Sequence, residues 1–120
     1  MKTIELKNHF DELDFLEFFL VEPKVAHPED GYWCYEVSDS VGSTLKFGID
    51  IIQSSVQIEI KKSDAILTLL SFEAIEKIEI DGSGKKLSFC LPTEKSNIKT
   101  QIKVEISPQI KVFGHSLKIQ

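Results

Sequence analysis

The chain has 120 residues, of which 42% are hydrophobic and 28% are charged, and its formal net charge is −5. A chain of this size buries about two thirds of its unfolded surface, so a single domain over residues 1–120 needs neither metal nor disulfide. No apolar run reaches about 18 residues and the N-terminus lacks a signal-peptide core, so we expect a cytoplasmic protein rather than a membrane protein.

The charge is unevenly distributed along the chain. Residues 1–30 contain eight acidic residues and three lysines, whereas the two signs balance over residues 31–120. All 14 basic residues are lysines, and arginine, the usual residue for bidentate phosphate recognition, is absent. We therefore expect no nucleic-acid binding, and the acidic end favours a basic protein partner.

The N-terminal quarter predicts a short strand followed by one helix. Thr3–Lys7 is the candidate strand, Asn8 is a candidate helix N-cap, and Pro23 prevents further helix, so we place the helix at about His9–Leu20. Helical spacing puts five apolar residues on an arc expected to face the sheet: Leu13, Phe15, Leu16, Phe19 and Leu20.

The opposite arc of this helix combines acids with aromatic residues. One interpretation is that Phe10 and Phe18 turn into the core and the acids are merely solvated. The other is a protein-binding surface with exposed aromatic anchors. Under the second interpretation, the predicted partner-binding residues are Asp11, Asp14, Glu17 and Phe18.

Alternating apolar and polar residues then predict one strand after another. Val25–Gly31 is expected to be a loop. In Tyr32–Val37, Trp33 and Tyr35 share one face and Tyr32 and Cys34 the other, and we expect one of the two faces to be core and the other to be partly covered by the helix. The stretch Thr44–Leu91 contains successive alternating runs joined by turn residues, including an Asp-Gly turn at 81–82. The segment Ser71–Lys77 fits neither period, and we interpret it as a connector with about one helical turn.

The C-terminal part continues the pattern. A polar loop over residues 92–97 precedes a run from Ile98, Pro108 predicts an edge strand or a bulge, and Gly114-His115 is expected to turn. The chain is therefore predicted to be α+β and β-rich, with an N-terminal helix packed on an antiparallel, curled meander sheet of about eight or nine short strands.

No motif for catalysis, metal binding or cofactor binding is present. The three histidines are scattered, and Cys34 and Cys90 form no Cys-x-x-Cys pair, so both are expected to be free thiols. A spatial site with His27 and both cysteines, or a Cys90–His115 nucleophile pair, is a minor possibility. We expect no enzyme activity, no metal and no cofactor.

Three alternating segments carry a resemblance to a known class of protein: residues 47–51, residues 55–60 and residues 75–80 before a glycine turn. They resemble the small cytoplasmic immunity proteins of bacterial polymorphic-toxin and contact-dependent growth inhibition systems. This resemblance implies a non-enzymatic inhibitor that binds a cognate toxin domain and blocks its active site, often that of a nuclease with a basic cleft.

The leading hypothesis is thus a toxin-binding inhibitor that is a monomer or a weak homodimer. The alternative is a small-ligand-binding curved sheet in which the aromatic run Tyr32–Tyr35 lines a pocket.

Overall fold

The computed structural model describes residues 1–8, 10–92 and 98–118. The helix α1 spans Glu12–Phe19, and a single 3-10 turn spans Pro28–Asp30. The strands are β1 Lys2–Glu5, β2 Val25–His27, β3 Tyr32–Ser38, β4 Ser43–Asp50, β5 Ser55–Lys62, β6 Ala65–Phe72, β7 Lys77–Asp81, β8 Lys86–Cys90, β9 Ile98–Glu105 and β10 Lys111–Lys118.

The strands form two antiparallel sheets of five strands each. We call the sheet with order β1-β7-β8-β9-β10 sheet A, and the sheet with order β2-β3-β4-β5-β6 sheet B. The predicted β-rich α+β class with an N-terminal helix is confirmed. The described residues contain ten strands rather than eight or nine, in two sheets rather than one, because β6 does not pair with β7; β1 crosses over to pair with β7 at the edge of sheet A.

The two sheets and the helix enclose one hydrophobic core. Alternation places the apolar residues of each strand on its inner face, as at Leu45, Phe47 and Ile49 of β4, which are fully buried. The sheets meet directly at Phe72 of β6 and Phe89 of β8, whose ring centroids lie 5.4 Å apart. Toward β3, helix α1 covers the inner face of sheet B.

Two predictions from local sequence are wrong because paired strands run through the segments concerned. The segment predicted to be a loop begins with β2, in which Ala26 lies opposite Trp33, and continues into the 3-10 turn. The turn predicted at Gly114-His115 is also wrong, because β10 runs through it with His115 opposite Gln101. A continuous row of backbone hydrogen bonds to a neighbouring strand outweighs weak local turn preferences.

The connector before β7 also differs from the prediction. Strand β6 extends to Phe72, and residues 73–76 contain no helical turn. Pro108 lies in the connection between β9 and β10, after a cis peptide bond from Ser107. As predicted for the region of Pro108, β10 is an edge strand, and the irregular register in sheet B lies elsewhere, at Ile60/Lys61.

Asp39 links the two sheets through its carboxylate. One oxygen accepts hydrogen bonds from the backbone N–H groups of Val41 (3.1 Å) and Ser43 (2.9 Å) in the turn before β4. The other accepts from the N–H of Ile110, 2.9 Å away, just before β10. The hydrogen bond from Ile110, followed by those from the turn, holds the pKa of Asp39 below its usual value.

Within the described ranges, no helix is long and apolar enough to cross a membrane.

Candidate protein-binding surface

Helix α1 is shorter than predicted and is defined by its caps. Asp11, rather than Asn8, is the N-cap, and its carboxylate accepts a hydrogen bond from the N–H of Leu13 at 2.9 Å. The C-cap is Leu20, which takes a left-handed conformation (φ 60°) and donates its N–H to the carbonyl of Leu16. Of the predicted range His9–Leu20, His9 lies outside the described residues.

Three phenylalanines hold the helix in the hydrophobic core. Phe15, Phe18 and Phe19 are 0%, 2% and 4% exposed, at the i, i+3 and i+4 spacing that forms one face. The ring of Phe19 stacks on Tyr35 at 5.1 Å and contacts Phe47 at 5.6 Å. The expectation that Phe18 faces outward as an anchor is therefore wrong, because burying its large ring favours the core position.

Phe10 also turns inward, as the first interpretation of this helix proposed. It is half-buried and stacks on Trp33, with ring centroids 4.7 Å apart. Trp33 in turn donates its indole N–H to a carboxylate oxygen of Glu12 at 2.6 Å. This charge-assisted bond fixes the first turn of α1 to strand β3.

The outward side of the helix is apolar as well as acidic. Leu13 and Leu20 are 55% and 71% exposed, and Glu17 between them is exposed. The predicted inward arc is wrong for these two leucines, while Leu16 is half-buried at the boundary. We call the outward-facing set the helix surface: Asp11, Leu13, Asp14, Glu17 and Leu20.

The three predicted acids have different environments. Asp11 is exposed and uses its carboxylate as the helix cap. Asp14 forms an ion pair with Lys2 at 2.5 Å, and its own side chain is only 9% exposed. The hydrogen bond and charge of Asp14, with further attraction from Glu17 and Asp11, raise the pKa of Lys2. The helix surface is therefore acidic, with one lysine at its border.

The exposure of the two leucines was not predicted because helical spacing alone does not decide which of two apolar arcs faces the core. A signal was available in the sequence: Phe15, Phe18 and Phe19 form a compact i, i+3, i+4 set of the largest apolar side chains in the helix. Ranking the arcs by side-chain size would have placed the phenylalanines inside and the leucines outside.

The aromatic run proposed as a ligand pocket belongs to the core. Trp33 and Tyr35 are 6% and 1% exposed beneath the helix. Burial, with the nearby charge of Glu12, raises the pKa of Tyr35 far above its usual value. On the opposite face of β3, Tyr32 and Cys34 are half-buried, and burial raises the pKa of the Cys34 thiol.

The proposed cysteine–histidine sites are not assembled. Cys34 lies in sheet B and Cys90 in sheet A. Cys90 and His115 both lie opposite Gln101, on its two sides, so two strand spacings of about 5 Å each separate them. His27 instead approaches Glu29 and Asp30, with one ligand atom from each within 4.8 Å. All three side chains are exposed, and exposed groups of this kind commonly lie close together without binding a metal.

No family model matches the chain, and no curated protein matches it in sequence. Its structure is similar to a chain of a contact-dependent growth inhibition toxin–immunity protein complex from Klebsiella pneumoniae 342, with a TM-score of 0.79 and 19% identity. The match covers 95% of this chain and 100% of the other. At this identity the likeness shows a shared fold.

Proposed function

We propose that the protein is a non-enzymatic immunity protein that binds and neutralises a cognate bacterial toxin domain. The observation that carries this proposal is the fold shared along almost the whole chain with a chain of a toxin–immunity protein complex. The independent sequence resemblance supports the same class. The protein acts in the cytoplasm, on a toxin domain that reaches that compartment.

The helix surface is the proposed contact with the toxin. Glu17 and Asp11 supply exposed negative charge, and Leu13 and Leu20 supply apolar anchors close to it. Exposed apolar side chains bordered by polar groups match the apolar centre and polar rim of a protein interface. Asp14 adds to the negative electrostatic potential of the helix surface, although its carboxylate is already paired with Lys2. Phe18 contributes by holding the helix in place from inside the core.

This surface fits a basic partner, and a nuclease active site is the specific target we propose. A nuclease cleft that binds phosphates attracts carboxylates by the same positive field, so an acidic helix would occupy the cleft and exclude the substrate. Charge of this kind accelerates encounter more than it strengthens the final complex.

Co-expression tests the function. If a toxin domain is encoded next to this gene, it should arrest growth when expressed alone and be tolerated together with this protein, and the two should purify as a 1:1 complex. Growth arrest in the presence of folded protein, without a complex, would contradict the proposed function.

Charge changes on the helix test the surface. Glu17→Lys and Asp11→Asn should together slow association by about ten-fold at low salt, and less at high salt. Asparagine keeps the helix cap, so the fold should be retained. Glu76→Lys, an exposed reversal before β7, is the matched control and should leave the association rate unchanged. Equal rates for all variants would refute the choice of surface while leaving the inhibitor function standing.

Leucine changes test the apolar part of the same surface. Leu13→Ala and Leu20→Ala should mainly raise the dissociation rate, by about ten-fold each, because the shortened side chain buries less apolar area against the toxin. Biolayer interferometry with the immobilised toxin domain measures both rates. Unchanged dissociation would mean that the leucines lie outside the interface.

A further inference from the structure

Two Asp-Gly pairs occur in the chain, and they lie in different environments. One is Asp30-Gly31, at the end of the 3-10 turn, and the other is Asp81-Gly82, at the turn between β7 and β8. In such a pair the amide nitrogen of the glycine can attack the side-chain carboxyl of the aspartate, because glycine has no Cβ to hinder the approach. The reaction requires the backbone to rotate between the two residues, so the local structure decides where it occurs.

The backbone of Asp30-Gly31 is fixed by its surroundings. Gly31 is buried in a left-handed conformation (φ 68°), and it donates its N–H to the carbonyl of Pro28 at 3.0 Å. Its carbonyl accepts a hydrogen bond from the N–H of Ile51 at 2.9 Å. A Cβ built on Gly31 would lie 2.8 Å from Cγ1 of Ile51, so the segment has little room to rotate. The nitrogen of Gly31 is therefore protected from this reaction while the protein is folded.

The turn that contains Asp81-Gly82 is open. Gly82 is exposed, and nothing lies within 4 Å of the position that a Cβ would take there. Its N–H has no hydrogen-bond acceptor among the described residues. Gly84 is the second glycine of the turn, and two glycines within four residues give the backbone freedom to rotate. The nitrogen of Gly82 is therefore available as a nucleophile.

The carboxylate of Asp81 is held on the far side of the same turn. Its Oδ1 accepts hydrogen bonds from the hydroxyl of Ser83 at 2.8 Å and from the N–H of Gly84 at 3.2 Å. A Cβ built on Gly84 would lie 2.8 Å from the other carboxylate oxygen. The hydrogen bonds, first that from the Ser83 hydroxyl, lower the pKa of Asp81, and an ionised carboxylate is the poorer target for a nucleophile. These contacts slow a reaction that the open backbone permits.

We propose that Asp81-Gly82 is a site of isoaspartate formation in this protein, at a rate limited by the hydroxyl of Ser83. The nitrogen of Gly82 loses its proton and bonds to Cγ of Asp81, while the carboxyl group loses its hydroxyl, which leaves with a proton as water. The product is a five-membered succinimide ring. Water then breaks one of the two bonds from the nitrogen to a ring carbonyl. Breaking the bond to Cγ restores aspartate, and breaking the bond to the backbone carbonyl leaves isoaspartate, with the chain running through Cγ.

The modification changes the β7–β8 hairpin. Asp81 is the last residue of β7 and lies opposite Lys86, and isoaspartate adds one carbon to the backbone at this position. Gly82 also lines a cavity of about 310 Å³ together with Asp14 and Glu17, so the hairpin borders the helix surface. The modified protein should therefore have a lower Tm, and its altered turn lies beside the proposed toxin contact. The chemical step itself does not depend on the identity of the partner.

Peptide mapping of the folded protein, incubated at neutral pH, tests the proposal. Trypsin releases residues 78–85 with Asp81 and residues 25–46 with Asp30, and the isoaspartyl form of each peptide has the same mass but a different retention time. Asp81 should convert at least about ten-fold faster than Asp30, because the turn at Asp30 must first unfold locally. Incubation in water enriched in heavy oxygen labels every residue that has passed through the succinimide. In urea, where the fold is lost, the two aspartates should convert at similar rates.

Two variants separate the effects of the carboxylate and of the nitrogen. Ser83→Ala removes a hydrogen bond from the carboxylate and should accelerate conversion by about five-fold. Gly82→Ala adds a Cβ that meets nothing within 4 Å, so it should keep the fold and slow conversion by at least about ten-fold. Ser71→Ala, an exposed serine in β6, is the matched control and should leave the rate unchanged.

Three results would overturn the proposal. The first is the absence of isoaspartate at residue 81 in both the wild type and Ser83→Ala. The second is conversion of Asp30 as fast as that of Asp81 in the folded protein, or an equally large difference between them in urea. The third is an unchanged rate in Gly82→Ala. Circular dichroism establishes that each variant is folded before its rate is compared.

Discussion

The orientation of α1 makes a specific prediction about two residues at its C-terminal end, Phe18 and Leu20. Phe18 is 2% exposed and contacts Phe19 edge-on at 4.9 Å, whereas Leu20 is 71% exposed. Truncating a buried phenylalanine to alanine costs about 3–5 kcal/mol, through lost burial and the cavity that remains. Truncating an exposed side chain typically changes stability by less than about 0.5 kcal/mol. Phe18→Ala should thus remove a large part of a stability of about 5–15 kcal/mol, and Leu20→Ala almost none.

Urea unfolding measures this difference directly. With a slope of about 2 kcal/mol per molar urea, a loss of about 4 kcal/mol lowers the unfolding midpoint by about 2 M. Trp33, the single tryptophan, is buried beneath the helix and reports the transition by fluorescence. A lowered midpoint for Leu20→Ala with an unchanged midpoint for Phe18→Ala would refute this orientation and favour the arc of leucines as the inward face.

Three further predictions concern polar groups. Glu12→Ala should lower the free energy of unfolding in urea by about 1–3 kcal/mol, because the buried indole N–H of Trp33 loses its acceptor. Glu12→Gln should lower it by less. Equal urea midpoints for the two variants would contradict a role for this hydrogen bond. The lowered pKa of Asp39, due first to the N–H of Ile110, stabilises the fold above the usual value of 3.8, and that stability is lost as the pH falls through the native pKa. The difference in Tm between wild type and Asp39→Asn should therefore be largest near neutral pH and disappear in acid. A difference that does not change with pH would contradict this role of the Asp39 carboxylate. The half-buried Cys34, its pKa raised by burial, should be alkylated at pH 8 at least about ten-fold more slowly than free cysteine, as measured by peptide mass spectrometry.

Local alternation was enough to predict the strands but not their arrangement in space. Strands β4 and β5 were evident because inward residues such as Leu45 and Ile58 recur at every second position. The division into two sheets lies between β6 and β7, which do not pair, and β1 joins sheet A by pairing with the distant β7; periodicity encodes neither feature. Strand β2 and the continuous β10 were missed although they pair with the neighbouring strands β3 and β9, because Pro28 and Gly114 are local turn signals.

The candidate surface was predicted in part. The acidic character of α1 follows directly from composition, so Asp11 and Glu17 were found where they are exposed. The pairing of Asp14 with Lys2 was not predictable, because it requires β1 to lie beside the helix. The exposure of Leu13 and Leu20 depends on which aromatic rings occupy the space over Tyr35, and that is a property of the packed core.

The pairing of β1 with β7 also has a consequence for how the polypeptide folds during its synthesis. Lys2 lies opposite Ile80, so the first strand to leave the ribosome must wait for one of the later strands before it can find its place. The whole of sheet B, from Val25 to Phe72, is formed by the chain between them. Local hairpins close rapidly, and contacts between distant segments form slowly. We therefore expect the nascent chain to complete sheet B first, with Ile4 exposed until sheet A assembles over it.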